Sequence, residues 1–432
     1  MRLLRGVSFG GGLNFSKSRA ESERLDVTFI STYHPTRCGI GTFTHNLISS
    51  LTKVDSSVRA KVVAVDKERN YKYENRLPEV ILRIAKDERR AYATLAEAIN
   101  ESRTDLVCIQ HEFGIFGGAG GSYFLDFMDR CEKPIVTILH TLNRNLNPMA
   151  YKIIRKIVEN SDAVVVLLPI YRDLAKIYGA SGDHKVEFIP HGVPEVRQTD
   201  KVTAKTSLRL SNRMVLTSFG LINPNKGLEY AVEALPKIID RHPNTIYLIL
   251  GQTHPLVLSR YGETYRERLE ERVRELGLKG YVKFVNSFLS EDCLSLYLAA
   301  SDIYLAPYLN RDQTSSGCLA YALAHGMAVV STLYPHSEYE LAHSNGVIIP
   351  PRNSGEMAEA VNWLLDRPTL LVRLQQRVVE RMKARRWPYV AARYVDLFEM
   401  VLEDKAHREL PSFGLTNVQT ALKTLQQHIL HR

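Results

Sequence analysis

Short apolar runs alternate with amphipathic stretches along nearly the whole chain, and this alternation restricts the architecture more than any other feature. Residues 27–32, 58–65, 105–110, 134–140, 163–168 and 185–190 read as buried strands. Helical spacing lies between several of them, over about 42–51, 91–100, 149–160 and 169–178. Strands that return through a helix to a neighbour pair in parallel, so the pattern predicts a doubly wound sheet covered on both faces. Residues 194–213 are polar and rich in Lys, Thr and Ser, and read as a linker. The alternation then restarts, with strands expected at 214–219, 246–251, 282–288, 303–307, 328–331 and 346–350. Two α/β domains follow, and a mainly helical stretch runs from Pro350 to about Lys405, interrupted by Trp387, Pro388 and Tyr389.

Ligands of such sheets collect beyond the carboxyl ends of strands, so the residues there are the candidates for function. The most informative stretch is 304–332. A strand ends there in Asp312, Gln313, Thr314, Ser315, Ser316 and Gly317, and a helix follows from Leu319 until Gly326. A helix that opens on Thr-Ser-Ser-Gly presents free N–H groups and hydroxyls, which suit an anion such as phosphate. Lys226, at the end of GLINPNKG, opens another helix and brings an ammonium to the same edge. In the first domain the loop HPTRCGIGTF supplies only Gly39 and Gly41, short of a full dinucleotide fingerprint. Other polar groups at strand ends are His34 with Arg37, His111 with Gln110 and Glu112, His140 with Thr141, and His191 with Gly192. The five glycines from Gly114 to Gly121 read as a flexible loop able to approach a ligand. No HExxH or comparable close spacing points to a metal.

The chain has 432 residues, 45% of them hydrophobic, enough for two or three cores, and carries a formal net charge of +9. That charge is spread along the chain without a basic stripe interleaved with aromatics, which argues against nucleic acid as the partner. Cys38, Cys108, Cys131, Cys293 and Cys318 stand apart from one another and read as reduced thiols of a cytosol-like compartment. No apolar run is long enough to span a bilayer, so a cytoplasmic protein, with at most peripheral membrane contact, is expected. The first 24 residues are basic and rich in Gly, and read as a disordered tail or an organellar targeting segment.

Several of these segments resemble the retaining family-4 glycosyltransferases, also known as group 1. They are CGIGTF, ILHT around His140, IPHGV at 189–193, SFGLINPNKGLEYAVEAL, and IYLAPYLNRDQTSSGCLAYALAHGMAVVST. Trp387 in RRWPYVAARY resembles the start of that family's closing helix. The resemblance covers roughly residues 25–405. It implies a GT-B fold, with two Rossmann-like doubly wound domains and a cleft between them. The implied division is a tail at 1–24, an acceptor domain at 25–205, a donor domain at 206–385, and helices at 386–432 that cross back to the first domain. It further implies metal-independent transfer of a hexose, with retention, from a nucleotide diphosphate sugar to a hydroxyl of a carbohydrate or lipid-linked acceptor. GDP-mannose is favoured over UDP-glucose, and no cofactor is expected.

By position, the resemblance places Gly39, Gly41, Lys226, Ser315, Ser316, Gly317 and Tyr321 around the donor. It puts His140, Asp312 and Gln313 at the reacting sugar, with His34, Arg37, His111, Glu112 and His191 on the acceptor side of the cleft. The sequence departs from the family at three positions. Leu221 stands where an arginine is usual, and Gln313 and Tyr321 replace two glutamates. Arg311 and Asp312 are the nearby groups able to supply the lost charges. The departures admit two other readings: a GT-B subunit without turnover, and a glycoside phosphorylase.

Overall fold

The computed structural model describes residues 24–67, 77–143, 146–180, 185–195, 200–342 and 345–409. The expected N-terminal tail, apart from Arg24, and the C-terminal stretch 410–432 lie outside the described residues. The first sheet contains β1 (Leu25–Ser31), β2 (Val58–Asp66), β3 (Val80–Ala85), β4 (Leu106–His111), β5 (Ile135–Leu139), β6 (Ala163–Val166) and β7 (Val186–Phe188). All pair in parallel, in the order 3-2-1-4-5-6-7. Every residue of β4, β5 and β6 is buried, as the near-continuous apolar runs require of strands covered on both faces. The cover comes from α1 (Gly39–Val54), α2 (Arg89–Asn100), α3 (Leu125–Met128), α4 (Pro148–Asn160) and α5 (Tyr171–Ile177). On α1, Phe43, Leu47, Ile48 and Leu51 face the core at helical spacing.

Strand β3 is not among the strands expected from the sequence. It is an edge strand with Ile81 and Leu82 exposed and Ile84 buried. An edge strand with so small a buried face leaves only a faint periodic signal. The polar stretch expected as a linker also holds a helix, α6 (Lys201–Ser207), capped by Asp200, whose Oδ1 accepts from Thr203 N at 3.0 Å. What anchors α6 is charge, not an apolar stripe. Lys201 and Lys205 reach the two oxygens of buried Asp302 at 3.0 and 2.7 Å.

The second sheet contains β8 (Met214–Phe219), β9 (Thr245–Leu250), β10 (Val282–Val285), β11 (Ile303–Ala306), β12 (Ala328–Thr332) and β13 (Gly346–Ile349), parallel, in the order 10-9-8-11-12-13. Around it lie α7 (Leu228–Arg241), α8 (Pro255–Tyr261), α9 (Thr264–Glu275), α10 (Glu291–Ala299), α11 (Gly317–Ala324), α12 (Pro335–Leu341), α13 (Ser354–Leu365) and α14 (Pro368–Met382). Strand β10 stops three residues before the expected end, which leaves Phe288 exposed.

The last helix, α15 (Trp387–Glu409), starts where the two chain crossings meet. Val193 N donates to Arg385 O, and Trp387 N donates to Val193 O, both at 2.9 Å. Beyond this point Val390, Tyr394, Phe398 and Val401 pack into the core of the first domain, with Phe398 edge-on to Phe29 at 6.4 Å. Burial of two large aromatic rings at roughly 2–3 kcal/mol each ties the end of the chain to the domain it started from. Among the described residues, no helix is long and apolar enough to cross a membrane.

Candidate functional site

In each sheet the strand order reverses between two neighbours, β1 and β4 in the first and β8 and β11 in the second. The loops that leave these strands diverge and open a crevice, and the two crevices share one interdomain cleft. After β1 the chain enters α1 at Gly39, and the capping Cys38 gives its N-terminus no side-chain acceptor. A Cβ on Gly41 would lie 3.3 Å from Thr32 O, so the helix start packs directly on the strand end.

On the second domain, Lys226 Nζ donates to Phe219 O and to Tyr308 Oη, each at 3.1 Å. It also sits 4.7 Å from the centre of the Tyr308 ring and 3.9 Å from Cys318 Sγ, in the first turn of α11. Two glycines make room for this. A Cβ on Gly220 would meet Cys318 Sγ at 2.7 Å, and one on Gly227 would meet Pro307 O at 2.2 Å. Both have positive φ, +105° and +58°.

The turn before α11 has a definite polarity. Ser316 Oγ caps the helix by accepting from Leu319 N at 3.2 Å, while Ser316 N donates inward to His336 Nδ1 at 2.8 Å. Of the N–H groups expected to face an anion, that of Ser316 is therefore engaged inside the domain. Gly317 N has no protein acceptor among the described residues and carries the helix dipole toward the cleft. Ser315 Oγ donates across the cleft to His140 O at 3.3 Å, and Leu142 N donates to Thr314 Oγ1 at 3.2 Å. Gln313 Nε2 folds back onto Ser315 O at 3.2 Å. Asp312 and Arg311 are both exposed.

The facing wall belongs to the first domain. His140 Nε2 pairs with Gln110 Oε1 at 2.7 Å, which puts the ring proton on Nε2. His191 Nδ1 pairs with Gly192 O at 2.6 Å, so its Nε2 carries the lone pair. That nitrogen would lie 3.2 Å from a Cβ on Gly317. Phe43 sits edge-on to His140, His191 and Trp387 at 4.9, 5.0 and 5.0 Å, and so joins this wall to the chain crossing. Burial, reinforced by neighbouring His191, pushes His140 down to about 3, and burial takes His191 to about 4. Both rings are neutral at physiological pH.

The remaining candidates divide. Arg37 crosses the cleft to Gln252 Oε1 at 2.6 Å and lies over Phe288 at 5.7 Å, and Tyr321 Oη accepts from Asn46 Nδ2 at 2.9 Å. Glu112 is held by Thr141 Oγ1 at 2.5 Å and Phe113 N at 3.1 Å, with burial raising its pKa. His34 packs edge-on to His45 at 4.9 Å, and burial lowers its pKa. His111 does not line the cleft. It is buried between Phe113 and Phe116 with both ring nitrogens unpartnered. Glycines 117 and 118 are packed rather than free, since a Cβ on Gly117 would overlap Lys86 O at 1.9 Å. Asn46, Gln252, Tyr308 and His336 were not singled out in the sequence, and their partners at the site, Tyr321, Arg37, Lys226 and Ser316, lie 275, 215, 82 and 20 residues away, too far for local spacing to reveal. Behind the cleft, a cavity of about 340 Å³ separates α1 from α10 and α11, lined in part by Asn46, Lys53, Glu291, Ser295, Tyr321 and Trp387.

Residues 213–367 match a family model described as glycosyl transferases group 1. The phosphatidyl-myo-inositol mannosyltransferase of Mycolicibacterium smegmatis is 25% identical over 277 residues, 63% of this chain and 67% of that protein. A D-inositol 3-phosphate glycosyltransferase of Corynebacterium glutamicum is 24% identical over 252 residues, 56% of this chain and 58% of the relative. The chain thus spans about six tenths of the length of the curated relatives it matches. The crystal structure of Anabaena HepE in complex with UDP and glucose superposes with a TM-score of 0.68 at 15% identity, over 87% of this chain and all of that one. With both sheets included in so complete a superposition, the fold is GT-B, as the sequence resemblance implied.

Proposed function

We propose that this chain, whose residues 213–367 match the glycosyl transferases of group 1, moves a hexose from a nucleotide diphosphate sugar to a hydroxyl of a carbohydrate or lipid-linked acceptor, with retention and without an essential metal. One observation carries this reading. The Lys226 ammonium and the open N-terminus of α11 meet at one edge of the cleft, opposite the neutral rings of His140 and His191. Breaking a glycosyl–phosphate bond leaves negative charge on the diphosphate. A fixed cation and preorganised N–H dipoles stabilise that charge most in the transition state. The acceptor hydroxyl attacks from the side of the departing phosphate oxygen, which takes its proton. Contacts across the cleft, from Arg37, Ser315 and Tyr321, supply the closure that keeps water from competing.

A second reading is a GT-B subunit without turnover. It is favoured by Tyr321, which stands where the family has a glutamate and whose hydroxyl is already engaged by Asn46. Titration calorimetry with GDP, UDP and ADP separates the two. In the transferase reading one nucleotide binds, GDP in the mannose-donor version, and Lys226→Ala weakens it by roughly 1.5–3 kcal/mol. Absence of binding by the intact protein, or a Lys226→Ala variant that binds unchanged, overturns the transferase reading.

A further inference from the structure

Directly beneath the anion-binding turn lies a chain of buried polar groups that the transfer chemistry does not touch. His336, 2% exposed, accepts the Ser316 N–H at Nδ1, 2.8 Å away. Because Nδ1 accepts, the ring proton sits on Nε2, and Nε2 donates to Glu340 Oε1 at 3.2 Å. Glu340 is 1% exposed, and its charge is met by the guanidinium of Arg385 and, at 3.6 Å, by that of Arg381. Arg381 also donates to the Glu340 carbonyl at 3.0 Å. The backbone that carries His336 is fixed as well. Ser337 Oγ accepts from Tyr334 N at 3.0 Å and donates to Thr332 O at 2.8 Å, which sets the first turn of α12 at the end of β12. Arg385 belongs to the crossing, where its carbonyl takes the Val193 N–H.

We propose that His336 is a positioning residue for the donor diphosphate, held in its acceptor tautomer by Glu340 and tied through Arg385 to the interdomain crossing. By taking the Ser316 N–H inward, His336 fixes the rotation of the peptide that leads into α11. That rotation leaves the Gly317 N–H facing the cleft and keeps Ser315 Oγ in reach of His140 O. Without an acceptor at this point, Ser316 would hold a buried N–H with no partner, and the turn would reorganise to satisfy it. The Glu340–Arg385 contact gives the turn a second anchor on the segment where both chain crossings pair, so the donor turn and the crossing are parts of one buried unit.

The inference rests on the donor reading above, and two variants test it. His336→Asn keeps an oxygen near the position of Nδ1, whereas His336→Leu removes the acceptor. The first readout is the affinity for the nucleoside diphosphate that binds the wild type, compared with that for the matching nucleoside. His336→Leu is expected to lose about tenfold for the diphosphate and little for the nucleoside, with His336→Asn within about threefold of wild type. The second readout needs no ligand. Hydrogen exchange over residues 314–318 should quicken in His336→Leu and stay slow in His336→Asn. Equal losses for nucleoside and diphosphate, or no rescue by asparagine, would overturn positioning in favour of a general packing role. Unchanged exchange in His336→Leu would overturn the positioning alone, whereas a wild type that binds no nucleoside diphosphate overturns the donor reading and this inference with it.

Discussion

Three buried histidines near the cleft make the stability of the first domain sensitive to acid, and His111 offers the cleanest test. Its ring is 1% exposed, packs against Phe113 and Phe116 at 5.3 and 6.1 Å, and finds no partner for either nitrogen. Burial pushes its pKa from 6.5 to about 3. The folded state therefore binds fewer protons than the unfolded state between these values. The stabilising contribution is complete above about pH 6.5 and is lost as pH falls toward 3, at about 1.4 kcal/mol per pH unit. Between pH 7 and pH 5 the cost from this residue is about 2 kcal/mol. His140 and His191 shift in the same direction and add to this acid sensitivity. His111→Phe removes one titrating group and no hydrogen bond. Any overpacking, of about 1–3 kcal/mol, applies at both pH values and cancels in the difference. Urea unfolding of wild type and variant at pH 7 and pH 5 should show the variant losing about 2 kcal/mol less on acidification. Parallel losses in the two proteins would refute the argument, since His111 would then be taking up its proton without unfolding.

Two further outcomes follow from contacts made at a distance. Asp302→Ala leaves Lys205, only 15% exposed, without its buried counter-charge and Val215 N without its 2.8 Å acceptor, so a loss of about 3–5 kcal/mol is expected by chemical denaturation, and less than about 1 kcal/mol would count against the anchoring of α6. Asn46→Ala and Tyr321→Phe remove the same interdomain hydrogen bond, so a double-mutant cycle on unfolding should give a coupling of about 1 kcal/mol, and strictly additive effects would rule the bond out in solution.

The sheets were legible because their central strands are buried on both faces. Such strands spell unbroken apolar runs, as in LVCIQH, AVVV and IYLA. The same logic explains what escaped. Edge strand β3 has too little buried surface to announce itself, and α6 is held by lysines whose partner, Asp302, is about a hundred residues away. At the site, the legible parts were those that act through backbone: glycines that let chains approach, and Ser and Lys at helix starts. His111 was grouped with the cleft residues because it ends a strand, yet neighbours on a strand point to opposite faces, and Gln110 takes the side that reaches His140. The pairs that join the walls are separated by 275 residues for Asn46 and Tyr321 and by 215 for Arg37 and Gln252, so no local pattern encodes them.

In the donor reading, Gln313 and Tyr321, which stand where the resembling family has glutamates, shift the balance between holding a donor and reacting it. A carboxylate only accepts hydrogen bonds and carries charge, whereas Tyr321 keeps its proton. Burial and the nearby Glu291 charge raise its pKa, so while accepting from Asn46 it still offers a donor to a ligand. Gln313 is likewise neutral, with its amide donating to Ser315 O and thereby stiffening the turn. In the donor reading, removing two negative charges beside a diphosphate leaves Lys226 and the α11 dipole less opposed, which favours ground-state binding of the nucleotide. The same removal takes away carboxylate stabilisation of positive charge developing on the sugar, an interaction made chiefly in the transition state. Binding strengthened without that term lowers KM without raising kcat. In that reading the chain is expected to hold its nucleotide firmly and turn over slowly, so affinity and rate must be measured separately, because weak turnover alone would not distinguish a slow transferase from an inert subunit.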